Sequence, residues 1–195
     1  RAYGFENRAP FDWDQDRDYA QVEQIASGKY IALGPVAKGV GGFYLGSLYY
    51  YMLYPAYFLT SGALSSLPLT SILIDALVPV LIYLLFKKSL GQMENIALAT
   101  TWSLSWLLIE SSRISWNVAL VPIWSLLTIY VFGQIITTNN KYYLYFLALL
   151  CGLTIHIHVT AIAIIPLLMI FYHKSFKYRL IDWLIACSIG LIPLV

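Results

Sequence analysis

Four aspartates fall at alternate positions in the string FDWDQDRDYA: Asp12, Asp14, Asp16 and Asp18. Carboxylates this close resist joint ionisation, so some titrate above the ordinary carboxylate range. One could take a proton from an attacking hydroxyl, and others could hold a divalent cation through oxygen. The competing reading is a solvated acidic loop that starts a helix. The string is not an EF-hand, because the glycine and the terminal glutamate of that loop are missing.

Three more groups carry side chains capable of chemistry. Arg113, in ESSRISWN, is the only base between Lys88 and Lys141. A guanidinium binds phosphate through two parallel N–H donors, so an arginine at a membrane surface suits a lipid phosphate. Its alternative role is an ion pair with Glu110, one helical turn back. His156 and His158, in TIHIHVT, form an H-x-H pair that could ligate zinc, although no third ligand stands nearby. On a regular helix the two rings point to opposite sides. One ring facing a site, and a structural hydrogen bond to a neighbouring helix, are both open. Lys38, in GPVAKGVGG, stands among glycines that let backbone approach a ligand, but no Ser or Thr follows it, which excludes a Walker loop. The plain reading there is a flexible turn. Asp75, in SILIDALVP, lines a cavity or bonds to a neighbouring helix, and Asp182 balances Lys177 or Arg179.

The chain that must position these groups is apolar. Of its 195 residues 59% are hydrophobic and 11% charged, and the mean hydropathy is +0.70. A soluble domain carries roughly 25% charged residues, so a bilayer must take the excess apolar surface. Residues 1–42 hold six acids and five bases, and the remainder four acids and seven bases. A polar head therefore precedes a membrane body. The net charge of +2 says nothing about nucleic acid, and no basic patch supports it as a partner, so none is expected. Cys151 and Cys187 lie in apolar runs and read as buried small hydrophobes rather than a disulfide. No signal peptide is visible. The start at Arg1 and the apolar end at Val195 lead us to expect further helices before and after the sequence.

Residues 1–18 read as loop, Tyr19 to Ser27 as a short helix with Asp16 and Asp18 at its N-terminus, and 34–42 as loop. Apolar segments follow at 43–61, 67–86, 95–111, 118–136, 142–172 and 180–195. A spanning helix takes about 20 apolar residues. The stretch 142–172 is too long for one and suits a helical hairpin with its apex near Gly152 to His158. The expected fold is all-α: an outer first loop with juxtamembrane helices over 1–66, and a partial multi-spanning transmembrane bundle over 67–195. Cytoplasmic loops are enriched in Lys and Arg. Alternating spans put Lys87 and Lys88, Lys141, and Lys174, Lys177 and Arg179 inside. The aspartates, residues 112–117 and the histidine apex then lie outside. In that arrangement segment 43–61, rich in Tyr and interrupted by Pro55, does not cross and reads as an interfacial or re-entrant helix; if it spans, the three clusters stay inside only with the polar head moved inward.

With the candidates on one face, the string WDQDRDYAQVEQIASG resembles the first outer loop of GT-C class membrane glycosyltransferases. The similar branch is the one related to protein O-mannosyltransferases and the lipid A aminoarabinose transferase. The family's Asp-x-x-Arg-like string stands here as Asp14-Gln15-Asp16-Arg17, followed by Tyr19-Ala20. GPVAKGVGGFYLGSLYYY is similar to its proline-containing run into a Tyr-rich juxtamembrane helix, with Pro35 alone where two prolines are usual. SRISWNVALVP is similar to its Ser-Arg segment, with Asn117 near the place where several relatives carry an acid, and GLTIHIHVTAIAIIP to a later outer-edge turn.

The resemblance implies a polyprenyl-phosphate-linked sugar donor, inverting transfer on the extracytoplasmic face, and a lipid, glycan or protein acceptor bound partly outside this sequence. It implies Asp14 as catalytic carboxylate; Arg17, Lys38, Arg113, His156 and His158 are the candidates for binding substrate. Asp16, Asp18 and Glu110 are secondary candidates. No cofactor is fixed by these residues; a divalent cation is the one candidate. The alternative function is a polytopic transporter or channel, with Asp75, Glu110, Arg113 and the histidines along a polar pathway. Transporters often show internal repeats, and none is visible here. A structural membrane subunit without chemistry is a third possibility, against which the acidic head argues.

Overall fold

The computed structural model describes residues 2–37, 42–138, 140–163 and 178–194. Lys38, Lys174, Lys177 and the second arm of the expected hairpin, over 164–172, lie outside the described residues.

Helix α1 runs Trp13–Ala26 and starts earlier than Tyr19. The cause is local. Asp12 accepts from the Trp13 N–H at 2.7 Å, and Gln15 Oε1 accepts from the Asp12 N–H at 3.0 Å, so Asp12 and Gln15 form a capping box. Asp14 and Asp16 sit in the first turn, where negative charge offsets the exposed N–H dipoles. The starting role expected of Asp16 and Asp18 therefore belongs to Asp12, Asp14 and Asp16, and Asp18 falls inside the helix.

The expected loop over 34–42 is in part a small antiparallel ladder. Strand β1 (Leu33–Ala37) pairs with β2 (Phe43–Gly46), with Leu33 opposite Gly46 and Val36 opposite Tyr44. Register slips between Leu33 and Val36, around Pro35, which has no N–H to donate. Gly34 is required by close approach: a Cβ there would overlap the carbonyl of Gly46.

Helix α2 (Leu48–Leu59) has 12 residues and contains Pro55. At 1.5 Å per residue it is roughly 18 Å long, well short of a bilayer core of about 30 Å. Tyr49, Tyr50, Leu53 and Ala56 form its buried face, toward α1 and the next helix, α3. The turn after it takes positive φ at Ser61 and Gly62, and Tyr19 of α1 donates to the Gly62 carbonyl at 2.6 Å.

Helix α3 (Ser66–Phe86) fulfils the segment expected at 67–86. The segment expected at 95–111 is two helices, α4 (Gln92–Leu104) and α5 (Trp106–Ser112), because Ser105 between them is extended with ψ 114°. A short 3-10 turn, Asn117–Leu120, leads into α6 (Val121–Thr138). Asn140 caps α7 (Lys141–Ile157) by accepting from the Tyr142 N–H at 3.0 Å. His158 is extended and ends α7, at the expected apex. Helix α8 (Leu180–Leu191) lies beside α7 and runs the same way, with Gly152 and Gly190 allowing close approach.

Two clusters mark opposite ends of this arrangement. At one end Val22, Tyr49, Tyr50, Leu53, Leu67, Leu120 and Ile157 pack together, joining α1 and α2 to the starts of α3 and α6 and the finish of α7. At the other, Ile135, Leu144 and Ala186 pack with Tyr145 and Trp183. Here Asp182 accepts from the Tyr145 hydroxyl at 2.8 Å and meets Lys141 at 3.7 Å and Arg179 at 3.5 Å. Lys87 follows the end of α3. Both cysteines are free, and Cys187 is exposed rather than buried.

The chain is mostly helical. Among the described residues two helical stretches, Ser66–Phe86 and Asn117–Thr138, are long and apolar enough to cross a membrane. Only 33% and 28% of their most apolar windows are buried, whereas a soluble core helix buries most of itself. On α3, Leu73, Leu77, Val80 and Leu84 form an exposed apolar stripe.

Candidate functional site

Helix α1 carries the centre of the site. From its second turn the Arg17 guanidinium reaches back to Asp14 Oδ1 at 2.9 Å and across to Asp18 Oδ1 at 2.6 and 2.9 Å. Asp14 is half-exposed and Asp18 is 1% exposed. No group meets Asp18 Oδ2 in hydrogen-bonding geometry among the described residues. Burial pushes the Asp18 carboxyl up to about 6, against the opposing pull of Arg17 and the Tyr49 hydroxyl. Burial, with the nearby Asp18 charge, also raises the Tyr50 phenol to about 12. At Asp18 burial is the largest cause, and the charge of Asp14 adds to it in the same direction. Asp16 points to solvent, and Asp12 is the helix cap.

The segment around Arg113 is docked onto α1. Gln15 Nε2 donates to the Ser115 carbonyl at 2.7 Å, and the Tyr49 hydroxyl lies 3.3 Å from Ser115 Oγ. Arg113 is buried, at 5% exposure, with Nη1 on Glu110 Oε1 at 2.5 Å and Nη2 3.5 Å from the Tyr3 carbonyl. The ion pair foreseen as its alternative role is thus present, and the guanidinium is not presented at a surface.

The end of α7 completes the cluster. Asn117 Nδ2 donates to the Ile157 carbonyl at 2.7 Å. The His156 imidazole lies against the backbone of Gly46, where a Cβ would overlap the ring, and its Nδ1 is buried without a partner among the described residues. His158 follows in extended conformation. Among the described residues no three of His, Cys, Asp and Glu gather as a ligand set. Asp75 accepts from Trp102 Nε1 at 3.0 Å, a link between α3 and α4.

The structure thus gathers Asp14, Arg17, Asp18, Glu110, Arg113, His156 and His158 at one end of the helices, while Asp16 faces away and Lys38 is outside the described residues. Sequence reasoning missed Gln15, Tyr49, Tyr50 and Ser115. The Asp12-x-x-Gln15 spacing announces a capping box, but nothing local announces that the Gln15 amide reaches residue 115. No family model, no curated protein and no solved structure matches this chain.

Proposed function

We propose that the chain belongs to a multi-spanning, GT-C-like membrane glycosyltransferase. It moves a sugar from a polyprenyl-phosphate donor to an acceptor hydroxyl, or another nucleophile, on the extracytoplasmic face. The supporting observation is the Asp14–Arg17–Asp18 group docked by Gln15 on the Ser115 segment. It stands at the end of the apolar helices opposite Lys87, Lys141 and Arg179. The rule that cytoplasmic ends are basic assigns the carboxylates to the outer side.

In this mechanism Asp14 takes the acceptor's proton as the acceptor oxygen bonds to the anomeric carbon. The bond from that carbon to the phosphate oxygen breaks on the opposite side. The phosphate leaves with the electron pair, and configuration inverts. Arg17 fixes the Asp14 carboxylate by its 2.9 Å contact. Positioning across a membrane surface lets a lipid carrier reach the carboxylate laterally.

The transporter reading needs its charged groups along one path. Asp75 is instead engaged with Trp102 and Arg113 with Glu110, so no specific observation favours that reading. The test is transfer by the intact protein from a panel of polyprenyl-phosphate sugars, in wild type and Asp14→Asn.

A further inference from the structure

An open cleft of about 370 Å³ lies between α1 and the β1–β2 ladder, lined among others by Arg17, Gln21, Tyr30, Gly34, Tyr44 and Tyr50. Its size falls in the range of about 300–1,000 Å³ usual for small-molecule clefts. Its walls are held in place. The Tyr51 hydroxyl accepts from the Ile31 N–H at 3.0 Å and lies 3.2 Å from the Ile31 carbonyl, and Gly34 lets the two strands close on each other. Two rings stay largely in the open: Tyr30 is 83% exposed and Tyr44 56%.

The charge of the cleft selects its occupant. Among the described residues that line it, the only charged group is Arg17, whose guanidinium already meets two carboxylates, Asp14 and Asp18. Among the described residues Arg17, Asp14 and Asp18 together carry no net positive charge to favour a phosphate. What remains is a tyrosine-rich wall with a few hydrogen-bonding groups, Gln21 among them. A pyranose matches this: its C–H face stacks on an aromatic ring, while its hydroxyls take amide and guanidinium donors.

We infer that the cleft between α1 and the β1–β2 ladder binds a neutral sugar ring, stacked on Tyr44 or Tyr30 and hydrogen-bonded by Gln21 and Arg17. The choice of a sugar rests on the transferase reading; the preference for a neutral ring over an anion rests on the described lining residues. The ring could belong to the lipid-linked donor or to a glycan acceptor.

The test is saturation-transfer NMR on the intact protein in nanodiscs, with methyl α-mannopyranoside and methyl β-glucopyranoside as probes. Signal should reach the ring protons of at least one glycoside, and inorganic phosphate should not compete. Tyr44→Ala and Gln21→Ala should each weaken binding about fivefold, the scale of one aromatic contact or one hydrogen bond. Displacement by a polyprenyl-phosphate sugar, but not by bare polyprenyl phosphate, identifies the donor as source; failure of both to displace identifies the acceptor. Absence of saturation transfer from both glycosides overturns the inference. So does equal binding in both variants, which would leave Tyr30 and Tyr44 as anchors in the lipid headgroup layer. Glycoside binding lost in Tyr44→Ala, in a protein that transfers no sugar, keeps the inference and removes the transferase reading. Transfer with an unchanged KM for donor and for acceptor in both variants does the reverse.

Discussion

Gln15 and Ser115, separated by 100 positions in the sequence, are joined by a 2.7 Å hydrogen bond from the Gln15 amide to the Ser115 carbonyl. The bond is buried and fastens the acidic helix to the segment between α5 and α6. Gln15 also closes the capping box with its other amide atom, Oε1. One side chain therefore starts α1 and docks it.

Replacing Gln15 tests that double role. Gln15→Ala leaves a buried carbonyl without its donor, at a cost of about 1–3 kcal/mol, and also opens the capping box. Thermal unfolding in detergent should show a clear drop in Tm. Gln15→Glu keeps the shape but faces a carbonyl with a carboxylate, and should be no better than alanine. A Tm unchanged in both variants would remove the docking role.

The Asp18 carboxyl makes stability depend on pH. In the folded protein it is pushed up to about 6, above the ordinary aspartate value of 3.8. Between those values the folded state binds more protons than the unfolded state, so stability falls as pH rises from about 4 to about 6. The shift corresponds to about 3 kcal/mol at most, an upper bound because the carboxyl is not wholly desolvated. Asp18→Asn should flatten this part of the Tm–pH curve. A curve with the same slope in wild type and variant would contradict the burial account.

His156 and Gly46 form a fitted pair. A methyl at position 46 would overlap the imidazole, so Gly46→Ala should destabilise by roughly 1–3 kcal/mol, as overpacking does. His156→Ala removes the obstacle. The double variant should then lose less than the sum of the two single losses, by about 0.5–3 kcal/mol. Strict additivity would show that the ring does not lie where the structure puts it.

Sides of the membrane are testable by labelling single cysteines, in a background where Cys151 and Cys187 are replaced. A cysteine at position 14 should react with an impermeant reagent from outside, and one at position 88 should not. The reverse pattern would invert the assignment of the acidic end.

The sequence made the apolar helices legible because length and hydropathy act locally: α3, α6 and α7 stand close to where their apolar runs place them. The segments that carry Asp14, Arg113 and His156 lie at the same end of the helices, through Gln15 on Ser115 and His156 on Gly46. Three things were not legible. The start of α1 depends on Asp12, whose capping partner Gln15 stands three residues on in a polar stretch that resembles a loop. The β1–β2 ladder hides in glycines that signal turns, although Gly34 serves close approach. The break at Ser105 interrupts an unbroken apolar run, and no proline or glycine announces it. Within the site, Arg113 offered two roles of similar weight on sequence grounds, and its Glu110 partner became visible only with side chains in place.

The account turns on the carboxylate of Asp14, and the most direct measurement is sugar transfer by the intact protein with Asp14→Asn beside Asp12→Asn. Asn keeps the shape of Asp and cannot take a proton; a positioned base contributes typically 10²–10⁴-fold. The account predicts that Asp14→Asn folds, binds the polyprenyl-phosphate donor and loses transfer by about that factor, while Asp12→Asn, which alters only the helix cap, loses far less. Near-normal turnover in Asp14→Asn, or no transfer by wild type from any polyprenyl-phosphate sugar, would contradict it.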